Sequence, residues 1–179
     1  MSAVANVFLI GAAKAGTTAL ADILAKHPQI AGMPIKEPGH FCTDLRPEVF
    51  SKGYKRLIQW DEAEYFGQQF LAERHIGFVE ERSHYRRLCQ QAQAVKPEAT
   101  HILDASTAYL YSARAAKELT HYNNKAKIIV LLRNPVDRAW SHYTMALKYG
   151  MESEGPLAAF KREAALEQAK WGRDECYLE

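Results

Sequence analysis

The chain has 179 residues, 47% of them hydrophobic and 25% charged, with 23 Lys plus Arg against 21 Asp plus Glu. A net charge of +2 excludes a highly charged tail and gives no ground for nonspecific nucleic-acid binding, while 10 Gly and 7 Pro exclude a collagen-like or low-complexity chain. The three cysteines, Cys42, Cys89 and Cys176, match neither a zinc spacing nor a secreted disulfide framework, so inert thiols in a reducing, cytoplasmic setting are expected.

No apolar run approaches the ~20 residues that cross a bilayer, and no basic segment precedes the first apolar stretch, so neither a membrane span nor a signal peptide is expected. Val7-Phe8-Leu9-Ile10, closed by Gly11, is a short apolar run of the kind buried on both faces of a parallel sheet. From Thr17 the period becomes helical through Leu20, Ile23 and Leu24, and His27-Pro28 ends it after Lys26. Residues 33–60 carry Pro34, Pro38, Gly39, Pro47 and Gly53 and read as mostly irregular. Trp60, Tyr65, Phe66 and Phe70 read as packing aromatics. Helices are expected over 81–95 and 113–122, with a short strand at 101–104 between them. Residues 127–132 are the strongest strand signal. Asn134 then supplies an N-cap with Pro135 at the first helical position, and the helix runs to Lys148 with Gly150 as its stop. A last helix is expected over 157–171. The end at Glu179, after a polar stretch, suggests a chain lacking its C-terminal part. Strand–helix alternation without repeats or linkers makes this one α/β domain over 1–179 with a parallel sheet.

Two strand-to-helix turns carry the chemistry. In Gly11-Ala12-Ala13-Lys14-Ala15-Gly16-Thr17-Thr18 the two glycines let successive amides converge, and the helix that follows adds free N–H groups and its positive dipole end. Lys14 adds a mobile charge. The spacing is that of a phosphate loop, G-x-x-x-x-G-K-[ST], except that Thr17 stands where the lysine belongs. At the second turn Arg133 closes the late strand, Arg138 follows, and Ser141 lies inside the next helix; a guanidinium fork with a hydroxyl suits a phosphate monoester. The plainer alternatives are an Arg133 paired with Asp137 and a Gly/Ala-rich turn that binds nothing. Two anion sites on one sheet edge imply a ligand with two separated anionic groups. Arg133 in place of a magnesium-holding Asp, with no metal-ligand spacing elsewhere, favours catalysis without a metal.

Phe8-Leu9-Ile10-Gly11 with Lys14-Ala15-Gly16-Thr17-Thr18 resembles the 5′-phosphosulfate loop of sulfotransferases that use 3′-phosphoadenosine-5′-phosphosulfate (PAPS), and the segment from Leu132 through Tyr143 resembles their 3′-phosphate motif. Lys36-Glu37-Pro38-Gly39-His40-Phe41 is similar to the Lys-Glu-x-x-Phe segment of heparan-sulfate-type and bacterial members. Asp104-Ala105-Ser106-Thr107-Ala108-Tyr109 is similar to their Ser-Pro-x-Tyr stretch, with Thr107 in place of the proline. The resemblance implies a P-loop-containing nucleoside triphosphate hydrolase-like three-layer α/β fold with a central parallel sheet. It also implies metal-independent, in-line sulfuryl transfer from PAPS to a hydroxyl or amine of a small-molecule, lipid or saccharide acceptor, with adenosine 3′,5′-bisphosphate (PAP) as product. Lys14, Ala15, Gly16, Thr17, Thr18 and Ala19 would then hold the 5′-phosphosulfate, and Arg133 and Ser141 the 3′-phosphate. Lys14 would also neutralise the leaving group, Glu37 would be the general base and His40 a second candidate, and Ser106 and Tyr109 would line the acceptor pocket or pack under the sheet. Competing readings are a P-loop kinase or NTPase and a nucleotide-binding remnant without catalysis. Acceptor identity and oligomeric state stay open.

Overall fold

The structure, a computed structural model, describes residues 3–46, 48, 50 and 52–167. Trp171 and Cys176 lie outside them. The strands are β1 (Val7–Leu9), β2 (Ile30–Gly32), β3 (Ile35–Glu37), β4 (Arg74–Ile76), β5 (His101–Asp104) and β6 (Lys127–Ile129). The helices are α1 (Thr17–Lys26), α2 (Lys52–Ile58), α3 (Glu62–Gly67), α4 (Arg82–Val95), α5 (Ala115–Tyr122), α6 (Pro135–Lys148) and α7 (Pro156–Glu167), with a 3-10 turn over Thr107–Leu110. Four strands form a parallel sheet in the order β2-β5-β1-β6, and β3 pairs with β4 in a second, two-stranded parallel sheet.

Strand alternation divides the core in two. Val7, Leu9, Leu103 and Ala105 meet Ala21, Leu20 and Leu24 of α1 on one side of the central sheet. Phe8 and Ile102 point to the other side, into a larger cluster with Tyr85, Leu88 and Ala92 of α4 and Ala115 and Leu119 of α5. The result is a layered α/β fold around a parallel sheet. The chain leaves β1 toward β2 on one flank, and later crosses from β5 to β6 on the other. Loops therefore diverge at the carboxyl end of β1, the place where open parallel sheets bind ligands.

Three expectations need correction. The segment 33–60 is mostly irregular as expected, but β2, β3, β4, α2 and α3 were not anticipated; three-residue strands are too short for periodicity to mark. The late strand closes after Ile129, since β6 has β1 on one side and is the edge of the described sheet, yet Leu131 still exchanges backbone hydrogen bonds with Gly11 and Ala12. Phe70 does not pack: it is 67% exposed, whereas Tyr65 and Phe66 are buried. The helix expected over 157–171 is described over Pro156–Glu167, residues 168–171 lying outside the described ones, and Tyr143 of α6 packs against its Phe160 at a centroid distance of 5.6 Å.

Candidate active site

The Gly11–Thr18 turn is built as an anion cradle. Gly16 sits at the N-terminus of α1 with φ 98°, a left-handed conformation that suits glycine, and it carries no side chain to cap the helix. The first intrahelical bond runs from the amide of Leu20 to the Gly16 carbonyl, so the amides of Thr17, Thr18 and Ala19 have no acceptor within the helix. Lys14, with φ 64°, is also left-handed. Thr17 is buried and Thr18 and Ala19 are exposed at the helix mouth; Ala15 is half-buried.

The second turn lies against the first. The amide of Ala12 donates to the carbonyl of Leu131 at 2.7 Å and the amide of Leu131 to that of Gly11 at 2.8 Å, which lays the strand leading to Arg133 along the loop. The Nη1 of Arg133 donates to the carbonyl of Lys14 at 3.2 Å. Asn134 caps α6 as its sequence suggests, accepting from the amides of Val136 and Asp137 at 3.0 and 3.4 Å. Arg133 is thus engaged with the loop. From α6, Met145 places its Sδ 3.4 Å from the Lys14 Nζ, while Arg138 is buried and Ser141 half-buried.

The charges that act on Lys14 are positive. Burial, then the charges of Arg133 and Lys148, push the Lys14 ammonium below its ordinary value. One residue past Ser141, His142 is pushed down to about 4 by burial, Arg138 and Lys14. A neutral imidazole beside Ser141 is a feature the motif reading did not single out. Cations held this close together, in part out of water, make a site suited to a ligand that brings more than one negative charge.

A separate group of polar residues faces the loop from β3 and the end of β5. The Oε2 of Glu37 accepts from the Thr107 amide at 3.2 Å and from its hydroxyl at 2.7 Å, and Oε1 accepts from Lys36 Nζ at 2.6 Å. A proline at position 107 could donate neither bond, so the substitution that breaks the familiar pattern is what holds this carboxylate. His75, on β4, brings its Nε2 to 3.6 Å from Glu37 Oε1. No motif marks His75; only the β3–β4 pairing, which sets it beside Lys36, brings it here.

His40 stands elsewhere. Its Nδ1 donates to the Val79 carbonyl at 2.8 Å and its ring stacks on Tyr85 at 4.4 Å, while burial lowers its pKa. Ser106 and Tyr109 pack under the sheet: their hydroxyls donate to the buried Asp104 at 2.7 and 2.8 Å, and Ser106 Oγ accepts from the Gly39 amide at 3.1 Å. Burial pushes the Cys42 thiol up to about 12 and the Cys89 thiol to about 11, and both are free. No described helix is long and apolar enough to cross a membrane.

Residues 6–175 match the family described as the sulfotransferase family. The chain is 28% identical over 158 residues to the membrane-associated sulfotransferase kil1 of Dictyostelium discoideum, an alignment covering 88% of this chain and 26% of that protein. It is 25% identical over 154 residues to the bifunctional heparan sulfate N-deacetylase/N-sulfotransferase 1 of Caenorhabditis briggsae, covering 86% of this chain and 14% of that one. The crystal structure of a sulfotransferase from Alicyclobacillus acidocaldarius superposes with a TM-score of 0.67 at 25% identity, over 92% of this chain and 59% of that chain. The chain therefore spans about a quarter and about a seventh of the two curated relatives.

Proposed function

The chain belongs to the sulfotransferase family, and on that premise we propose that it moves a sulfuryl group from PAPS to a hydroxyl or amine acceptor in a single in-line displacement, without a metal. The observation that carries this reading is the Arg133 guanidinium donating to the Lys14 carbonyl, which brings it to the loop whose ammonium its charge acts on.

The donor carries a phosphosulfate on one side of its adenosine and a phosphate on the other. The amides of Thr17, Thr18 and Ala19 hold the 5′-phosphate, assisted by the Thr17 and Thr18 hydroxyls, and Ala15 and Gly16 keep the backbone close to it. Lys14 neutralises charge that grows on the phosphate oxygen as its bond to sulfur breaks. Arg133 and Ser141 grip the 3′-phosphate. The leaving group is PAP. Glu37 provides the negative charge on the acceptor side that favours release of the acceptor's proton as the acceptor bonds to sulfur. Of the two candidates expected from the sequence, His40 is set aside, since its ring is pinned by Val79 and Tyr85.

A kinase or NTPase is disfavoured because Thr17 stands in the lysine position of the nucleotide loop and brings no cation to the β/γ-phosphates. Free buried thiols at Cys42 and Cys89 suit a reducing, cytoplasmic setting. The test is transfer of labelled sulfate from PAPS onto a panel of phenol, alcohol, glucosaminyl and lipid acceptors. Labelled product with equimolar PAP supports the proposal; PAP binding without transfer to any acceptor supports a nucleotide-binding remnant instead.

A further inference from the structure

Glu37 is a crowded carboxylate. Two hydrogen bonds from Thr107 fill the lone-pair directions of Oε2, and Lys36 takes one of the two on Oε1. An acceptor hydroxyl that gave its proton to this group would have to compete with donors already in place. The neighbour of the remaining position is His75, with Nε2 3.6 Å from Oε1. The His75 side chain is 57% exposed against 15% for Glu37, so the ring is open to an incoming molecule where the carboxylate is not.

The charges acting on His75 come from each element around it: Lys36 and Glu37 on β3, Asp22 on α1 and Lys14 in the anion cradle. Through Lys14 the ring is electrostatically coupled to the residue assigned to the phosphosulfate. Burial, Lys36 and Lys14 push its pKa down, while Glu37 and Asp22 oppose them, and the balance falls below the ordinary value. That direction favours the neutral ring, the state in which imidazole accepts a proton.

We propose that His75 is the catalytic base of this sulfotransferase and that Glu37 is its positioning residue: the Nε2–H turns to the Glu37 carboxylate, and Nδ1 takes the acceptor's proton. The inference rests on the sulfuryl-transfer reading above and assigns the atom on which the proton comes to rest. In the step, a lone pair on the acceptor oxygen or nitrogen forms the new bond to sulfur and the bond between sulfur and the 5′-phosphate oxygen breaks. Its electron pair stays on the departing PAP, and the acceptor's proton moves to His75 Nδ1. The imidazolium so formed faces the Glu37 carboxylate, which stabilises it, and Thr107 and Lys36 keep that carboxylate in place. The division of labour is that of a base oriented by a neighbouring, half-buried carboxylate.

The proposal is tested in two arms. In the first, His75→Ala and His75→Gln lower labelled-sulfate transfer from PAPS to 4-nitrophenol and to N-desulfated heparan by about 10²–10⁴-fold. Their affinity for PAP, read by calorimetry, is unchanged, and added imidazole restores part of the rate in His75→Ala. Glu37→Gln shifts the acidic limb of the pH–rate profile to lower pH, because the charge that raises the His75 pKa is gone. In the second arm, histidine-selective ¹⁵N NMR of the resting protein shows His75 as the Nε2–H tautomer, with a titration midpoint that falls in Glu37→Gln. A full transfer rate in His75→Ala, an Nδ1–H tautomer, or a midpoint indifferent to Glu37→Gln overturns the assignment. Failure of the underlying reading looks different: PAP would then bind Lys14→Ala as well as it binds the wild type, whatever the His75 spectra show.

Discussion

Replacing Asp104 by Asn takes a buried carboxyl out of the end of β5, and the structure sets how stability should respond to pH. Asp104 is 0% exposed. Its Oδ2 accepts from the hydroxyls of Tyr85 and Tyr109, both at 2.8 Å, and its Oδ1 from Ser106 at 2.7 Å. Burial pushes its pKa up to about 6 from 3.8, the three hydrogen bonds pulling the other way. The folded state therefore holds the proton more tightly than the unfolded chain does. The stability this brings is fully present below the unfolded value and is lost as pH rises through about 6. A difference of about two units corresponds to ~3 kcal/mol, of which ~2 kcal/mol falls between about pH 4.5 and about pH 7.5. Asn has no proton to lose. Urea unfolding of both proteins across that range isolates the group, since other titrations cancel in the difference. The account predicts that the difference moves in favour of the Asn variant by ~2 kcal/mol as pH rises. Parallel stability curves would refute the reasoning, and with it the picture of a dry carboxyl that, through Ser106, ties down Gly39 near Glu37.

Two further changes probe the site's scaffold. Thr107→Val removes the hydroxyl bond to Glu37 but keeps the amide bond; urea unfolding should show a loss of about 1–1.5 kcal/mol, and an unchanged stability would mean that Thr107 does not hold the carboxylate. Gly16→Ala meets Leu131 Cδ2 at an unstrained 3.8 Å, so its cost is the left-handed φ of 98° alone, about 1–2 kcal/mol, with weaker PAP binding; a stability equal to wild type would show that the turn does not need glycine.

Legibility in the sequence followed the range of the interactions. The cradle at 11–18, the Asn134-Pro135 cap and the buried strand at Val7 are set by neighbours within one turn or one strand, so residue type and spacing reveal them. The layered fold followed from strand–helix alternation alone. The middle of the chain was opaque because β2, β3 and β4 are three residues each and owe their existence to partners distant in sequence: Ile30 lies beside His101, and Ile35 beside Arg74. His75 was invisible for the same reason. Residues 127–132 overstated the strand, since hydrophobicity cannot tell a central strand from an edge; Ile128, Val130 and Leu132 are in fact exposed. Thr107 read only as a departure from a pattern, and its meaning needed the coordinates of Glu37, seventy residues away in the chain.

The central claim, one cleft with two cationic grips on one doubly phosphorylated adenosine, is met most directly by calorimetric titration of PAP and of adenosine 5′-monophosphate into the wild type, Lys14→Ala and Arg133→Ala. Each lost charge-assisted contact is worth about 1.5–3 kcal/mol, so each variant should bind PAP about 10- to 100-fold more weakly. Lys14→Ala should weaken both nucleotides, whereas Arg133→Ala should abolish the preference for the one carrying a 3′-phosphate. Undiminished PAP binding in both variants, or an Arg133→Ala protein that still prefers the 3′-phosphate, would contradict the account.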